Sequence, residues 1–366
     1  MPLSRVYKLT EAQKLMYNAE KEVNFRWIAK VFATRSSYLL SENDRASPEL
    51  VDELAELGEF AEVAYGFLPI TTVFEQYDVL SQNGFPLAEH RALRGGRLVT
   101  ALMGDVASLK GYIAFRPERN QLVIAFSGTQ NWIQALYDVH GSRRRYPLGR
   151  GCKVHRGFWK LYCGIRKHVV EGIQNAREQY SFAEVVFAGH SMGAAMAYLT
   201  SLEALNTSDM LPPGVTIKLA AFGGPRVGNK RLCEFWRESV ERYRSTHGSN
   251  SLQEYFVKAY NDGVPALPPE RFGYKHFCQT PLYLAFGRMY HVPISECEYS
   301  SMSVAESELD SDEVPFPRGG HNYYNGRNME RLARRMDMLA VEMTNGPGWE
   351  DRYRTKMMKS EGRFGS

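Results

Sequence analysis

Apolar residues change their period along the chain, and each change predicts a different element. Leu15, Ala19, Val23, Trp27 and Val31 recur every fourth residue behind a Thr10–Gln13 capping pair. That stripe predicts an amphipathic helix docked on a neighbouring domain. A second helix opens at Ser47-Pro48, with serine as N-cap and proline in the first turn, and runs through Leu50, Leu54, Leu57, Ala61 and Ala64. From Lys110 the apolar runs shorten, and "GYIAF" and "QLVIAF" flank "RPERN" as a hairpin. "VVFA", "VTIKLAAF" and "EYFVKAY" then read as buried strands, with helices over 158–180, 194–205 and from about Asn229 between them. "PLYLAFGRMYHV" reads as a further strand pair. Strands alternating with helices predict an α/β fold, a mostly parallel sheet with helices on both faces. The site of such a sheet lies beyond the carboxyl ends of its strands.

One junction in this pattern carries chemistry. Between the strand ending at Ala188 and the helix at Ala194 lies Gly189-His190-Ser191-Met192-Gly193, a G-x-S-x-G sequence. A strand turning at once into a helix needs a sharp turn, and flanking glycines let the two backbones approach. The serine is left exposed at the sheet edge beside a helix N-terminus, where amide donors and the helix dipole stabilise developing negative charge. The motif alone also describes an ordinary serine in a tight turn; the buried strand and helix around it favour a nucleophile. Asp262 directly follows an apolar strand, whereas Asp209, Asp310, Asp312, Asp337 and Asp351 lie in polar segments or late helices. An aspartate there can be a mere turn former, but its place at a strand end favours the acid of a triad. For the base, the order Ser…Asp…His leaves His276, His291 and His321. His321 is favoured because "PFPRGG" gives it a flexible approach over the sheet edge.

Composition sets limits on this reading. The 366 residues are 44% hydrophobic and 23% charged, globular values with room for a large core. A net charge of +4 is mild and argues for no nucleic-acid partner. Cys152, Cys163, Cys233, Cys278 and Cys297 are scattered, without a C-x-x-C pair, which suits reduced thiols. "MPLSRVYKLTEAQKL" lacks an apolar leader core and no run reaches transmembrane length, so a soluble cytoplasmic protein is expected, possible contact with a lipid surface aside. The expected organisation is a helical extension over 1–45, a hydrolase domain over 46–345 and a polar tail over 346–366. No metal-ligand spacing such as H-E-x-x-H occurs, and the chemistry needs no cofactor.

Seven segments in order, "LVIAFSGT", "NWIQALYD", "KVHRGFW", "GHSMGAA", "AFGGPRVGN", "NDGVPALPP" and "GHNYY", resemble the class 3 lipases, a fungal triacylglycerol lipase-like family of the α/β-hydrolase fold. The resemblance spans about Leu122 to Tyr324. It implies Ser191 as nucleophile, Asp262 as orienting acid and His321 as general base, with Thr129 and the Met192 amide as oxyanion hole. It also implies a lid in "QNWIQALYD", where Trp132, Ile133, Leu136 and Tyr137 share one face of a short helix. Ser127 stands where the family usually has arginine, and Ala194 where it has a second glycine. The expected activity is hydrolysis of glycerolipid acyl esters. The alternatives are a phospholipase or other esterase on the same scaffold, or a lipase-like binding protein with little turnover. "GSRRRYPLGR" places Arg143, Arg144, Arg145 and Arg150 after the lid, either as a docking patch for a lipid droplet or membrane or as a solvated face. Residues 295–313 form an acidic, serine-rich insertion, read as a mobile surface loop and a candidate for phosphorylation.

Overall fold

A computed structural model describes residues 8–20, 24–66, 68–128, 142–309 and 314–362. The chain opens with two short helices, α1 (Glu11–Asn18) and α2 (Arg26–Phe32), and a strand, β1 (Arg35–Leu40). The capping box at Thr10 and Gln13 forms as the sequence predicts. The single docked stripe does not. Phe25 turns the chain with a left-handed backbone, φ 53°, which leaves Leu15, Trp27 and Val31 at 40%, 48% and 67% exposure. Tyr17, Phe25 and Ile28 are buried instead. The extension is therefore part helix and part strand.

Helix α3 (Pro48–Val63) begins where Ser47 Oγ accepts the Leu50 N–H, and α4 (Ile70–Glu75) and α5 (Tyr77–Leu80) follow. Strands β2 (Arg97–Met103), β3 (Lys110–Arg116) and β4 (Gln121–Phe126) form an antiparallel meander. Next come β5 (Arg143–Arg145), β6 (Lys153–His155), α6 (Arg156–Gln179), β7 (Glu184–His190) and α7 (Met192–Asn206). Then come β8 (Thr216–Phe222), β9 (Gly228–Asn229), α8 (Lys230–His247), β10 (Leu252–Ala259) and β11 (Tyr274–Lys275). The hairpin β12 (Pro281–Ala285) and β13 (Arg288–His291), strand β14 (Ser301–Val304) and helices α9 (Met329–Thr344) and α10 (Trp349–Gly362) complete the chain.

The eight-stranded sheet runs β13-β12-β10-β8-β7-β4-β3-β2, with β4, β7, β8, β10 and β12 mutually parallel. Apolar side chains on both faces explain the uninterrupted apolar runs of its middle strands. One face packs on α6, α7 and α8 through residues such as Phe158, Met196 and Trp236. The other packs on α3 and α9 through Leu57, Phe60 and Leu339. Residues 192–204 of α7 are all buried, as its lack of a polar face predicts.

Two peripheral expectations need correction. The insertion after Asp262 is ordered over its described part. Strand β14 pairs in parallel with β1, and Glu308 is 2% exposed beneath Arg45, to which it is bonded at 2.7 Å. Residues 310–313 lie outside the described residues. Glu298 and Glu308 looked solvated only because Arg226, Arg45 and Arg288 lie far away in sequence. The expected polar tail is helical from Trp349 to Gly362 and is not polar throughout. Helix α10 buries Tyr353 and Met357, and Tyr353 stacks on Phe85 with ring centroids 5.4 Å apart.

Candidate active site

Ser191 sits at the tip of the turn between β7 and α7 with φ 60° and ψ −125°. A residue with a side chain adopts that conformation only when its surroundings impose it. Here they do. The Ser191 N–H donates to Phe222 O at 2.8 Å, and a Cβ at Gly193 would lie 2.3 Å from Phe126 O. The helix can start only if residue 193 has no side chain, because the end of β4 lies against it.

Asp262 follows β10 and is 1% exposed. Its Oδ2 accepts from His321 Nδ1 at 2.9 Å and from the Tyr324 hydroxyl at 2.7 Å. Its Oδ1 accepts the Val264 N–H at 2.9 Å. A buried carboxylate with these donors stays in place without solvent. The Tyr324 phenol is pushed well above its ordinary range by burial and by the adjacent Asp262 charge, so it remains a donor. Of the three candidate histidines, the structure brings only His321 to Asp262. His276 is buried elsewhere, with Nε2 3.0 Å from Pro265 O and its ring on Phe256. His291 lies on the edge strand β13.

A second layer was not legible in the sequence. The His190 ring lies 4.3 Å from that of His321, with its Nε2 donating to His321 O at 3.0 Å. Its Nδ1 accepts from the Tyr65 hydroxyl at 2.7 Å, which fixes a neutral Nε2–H tautomer. Burial, and then the neighbouring His321, hold the His190 pKa well below its ordinary value. The Tyr65 phenol also bonds with the Ser191 side chain and the Gly128 backbone, and burial pushes its pKa up. The "HS" of G-H-S-M-G hints at His190. Tyr65, at the end of α3, gives no local signal.

The loop carrying His321 is clamped from below by α3. Glu59 and Glu62 are each 2% exposed, and Arg327 reaches Glu59 at 2.8 Å and Glu62 at 3.4 Å. Asn325 Nδ2 donates to Glu62 at 2.8 Å. Carboxylates this deep cost several kcal/mol each unless paired, so α3 and the loop dock as a unit.

Among the expected oxyanion donors, Met192 is buried as the first residue of α7, where a backbone N–H has no partner within the helix. Thr129 and the lid residues Trp132, Ile133, Leu136 and Tyr137 lie outside the described residues. Arg143, Arg144 and Arg145 form exposed β5, and Arg150 is exposed beyond it. Arg143 also donates to Gly273 O at 3.1 Å and lies over the Tyr274 ring.

This is the α/β-hydrolase fold, with a serine at its strand–helix turn and, beyond the end of β10, an aspartate paired to a histidine from the irregular segment over 314–328. Residues 123–272 match the family described as Lipase (class 3), and that part of the chain is class 3 lipase-like. It is 30% identical over 175 residues to secreted mono- and diacylglycerol lipase A of Penicillium camembertii, covering 47% of this chain and 50% of that protein. It is 25% identical over 182 residues to a lipase of Rhizopus oryzae, covering 50% of this chain and 43% of that protein. The chain thus spans about half the length of the curated relatives it matches. The solved triacylglyceride lipase of Rhizomucor miehei shares the fold, with a TM-score of 0.57 and 20% identity over 79% of this chain and 98% of that one.

The relatives overturn the cytoplasmic expectation. Matched lipases of Penicillium and Fusarium are named as secreted, which points to an extracellular location. Charge and apolar patterning in the first residues were too weak a basis for a compartment. Among the described residues, no helix is long and apolar enough to cross a membrane.

Proposed function

We propose that this chain is a serine carboxylic-ester hydrolase that cleaves acyl esters of glycerolipids through an acyl-enzyme on Ser191. The observation that carries the reading is the buried Asp262–His321 pair at 2.9 Å, whose imidazole packs on His190, the residue before the strained turn at Ser191. The names of relatives that act on mono- and diacylglycerols support the substrate class.

In this mechanism the Ser191 hydroxyl attacks the ester carbonyl carbon and its proton passes to His321 Nε2. Asp262 accepts the Nδ1–H, so that Nε2 is the basic nitrogen, and it stabilises the imidazolium that forms. The carbonyl oxygen becomes an oxyanion at the start of α7, where the Met192 amide and the helix dipole meet it; Thr129 is the second donor. One such donor is worth about 3–4 kcal/mol in the transition state. His321 returns the proton to the departing alcohol. Water, deprotonated by the same imidazole, then attacks the acyl-enzyme, and His321 returns that proton to Ser191 Oγ as the carboxylic acid is released. Arg143, Arg144, Arg145 and Arg150 favour approach of an anionic lipid surface.

A panel of mono-, di- and triacylglycerols and phospholipids, run on wild type and Ser191→Ala, tests the proposal. Acylglycerol hydrolysis that disappears in Ser191→Ala supports it. Turnover of phospholipids alone moves the assignment to a phospholipase, and binding without turnover makes the chain a lipid-binding scaffold.

A further inference from the structure

We propose that Asn24 and Phe25, in the N-terminal extension, are positioning residues for His321, so that the extension is a working part of the catalytic centre. The inference rests on the reading of Ser191, Asp262 and His321 as a triad.

The histidine is carried by a segment without regular secondary structure, residues 314–328. Three residues of the extension meet that segment's backbone. Tyr17 Oη accepts the Arg318 N–H at 3.0 Å. Arg26 Nε donates to Gly319 O at 2.8 Å. Asn24 then holds both the catalytic residue and its neighbour: its carbonyl accepts the His321 N–H at 3.1 Å, and its Oδ1 accepts the Asn322 N–H at 2.9 Å. The Tyr323 hydroxyl donates to the Glu20 carboxylate, which is itself bonded to Arg26 at 2.7 Å.

The imidazole is held as well. Phe25 is 6% exposed and stands edge-on to His321, with centroids 5.1 Å apart and an interplanar angle of 82°. The His190 ring lies against the same imidazole at 34°. Two rings in different orientations limit how far the His321 side chain can rotate about its bond to the backbone. The left-handed backbone of Phe25 is unfavourable for a residue with a side chain, and it is what turns the ring inward. The extension also meets the loop that follows the acid. A Cβ on Gly263 would lie 2.5 Å from Ala29 N and from Ile28 Cβ. One short segment thus touches the loops that present both members of the Asp–His pair, and it sets their relative position.

Reacting groups tolerate little misplacement: a shift of about 1 Å can lower a rate on the order of a hundredfold. Loss of one of several constraints on His321 should lower proton transfer without altering how substrate binds. The test uses the full chain with Phe25→Ala, Phe25→Leu and Asn24→Ala, each shown to be folded at the assay temperature by circular dichroism. Two quantities are read: the rate constant for labelling of Ser191 by a fluorophosphonate, and kcat and KM on a soluble short-chain ester. Phe25→Ala is expected to lower labelling and kcat by about tenfold with KM little changed, and Asn24→Ala by several-fold. Phe25→Leu, which refills the space, should recover most of the loss. Folded variants that label at the wild-type rate, a loss confined to KM, or faster turnover on removing the ring would each overturn the proposal. Should Phe25→Ala not fold, Phe25→Leu and Asn24→Ala carry the comparison. A wild-type chain that does not label at Ser191 would instead sink the triad reading itself.

Discussion

Tyr324→Phe removes one buried hydroxyl at the centre of the site. The Tyr324 hydroxyl donates to Asp262 Oδ2 at 2.7 Å, the oxygen that also receives His321 Nδ1–H. The ring is fully buried, with His190 at 5.2 Å and Phe222 at 6.3 Å between centroids. Phenylalanine keeps that packing and removes the hydroxyl, which also bonds with the Ala259 backbone. A hydrogen bond to a charged group is worth about 1.5–3 kcal/mol, and here no solvent replaces it. Asp262 retains His321 and the Val264 N–H, so its carboxylate loosens without being released. Since about 1.4 kcal/mol is a factor of ten, part of that energy spent on orienting His321 lowers kcat roughly tenfold, with KM little changed. Stability falls by up to the same 1.5–3 kcal/mol, a drop in Tm of several degrees. Thermal melts and steady-state kinetics on a soluble ester read both. A variant with unchanged Tm and unchanged kcat would refute the claim that Tyr324 holds the acid. A loss as deep as that expected for Asp262→Asn, on the order of 10⁴, would show that it does more than hold it.

Gly193→Ala places a methyl 2.3 Å from Phe126 O. It should cost about 1–3 kcal/mol in Tm-derived stability and abolish labelling of Ser191; normal labelling would contradict the account of the turn. Glu308→Gln tests the ordered insertion. Arg45, hydrogen-bonded to Glu308, holds its carboxyl below the usual range, so this stability is full above the unfolded value of about 4.3 and is lost as pH falls through the lower folded value. Urea melts should show the variant weaker than wild type at pH 7, with the difference shrinking as the pH is lowered through the acid range; equal melts at pH 7 would sink the idea. Serine at Arg143, Arg144 and Arg145 should reduce binding to anionic vesicles by about 1 kcal/mol per charge, in a salt-sensitive way, with little change on a soluble ester. Vesicle binding that ignores both substitution and salt would dismiss the patch.

The parts legible in the sequence were those whose physics is local. Buried parallel strands, the Ser47 cap and the glycine-fenced Ser191 all write their constraints into neighbouring positions, and the structure places these elements where the pattern puts them. Asp262 could be chosen because a polar residue ending an apolar strand is conspicuous. What stayed hidden depends on partners far apart in the chain. Glu59 and Glu62 look like the wet face of an amphipathic helix until Arg327 and His90 arrive to pair with them. Glu308 looks solvated until Arg45 and Arg288 cover it. The N-terminal stripe misled for a related reason. Its period of four was real, but the left-handed turn at Phe25 is set by the site on which the segment lands. A pattern of exposed apolar residues does not reveal that turn.

The central claim is that His321, held by Asp262, serves Ser191 as base. The most direct measurement is the initial rate of ester hydrolysis by folded His321→Ala beside folded His276→Ala. His321→Ala is expected to lose activity by several orders of magnitude, whereas His276→Ala, which removes a ring packed against Phe256, keeps most of its kcat. Near-normal turnover in His321→Ala, with loss in His276→Ala, would contradict it.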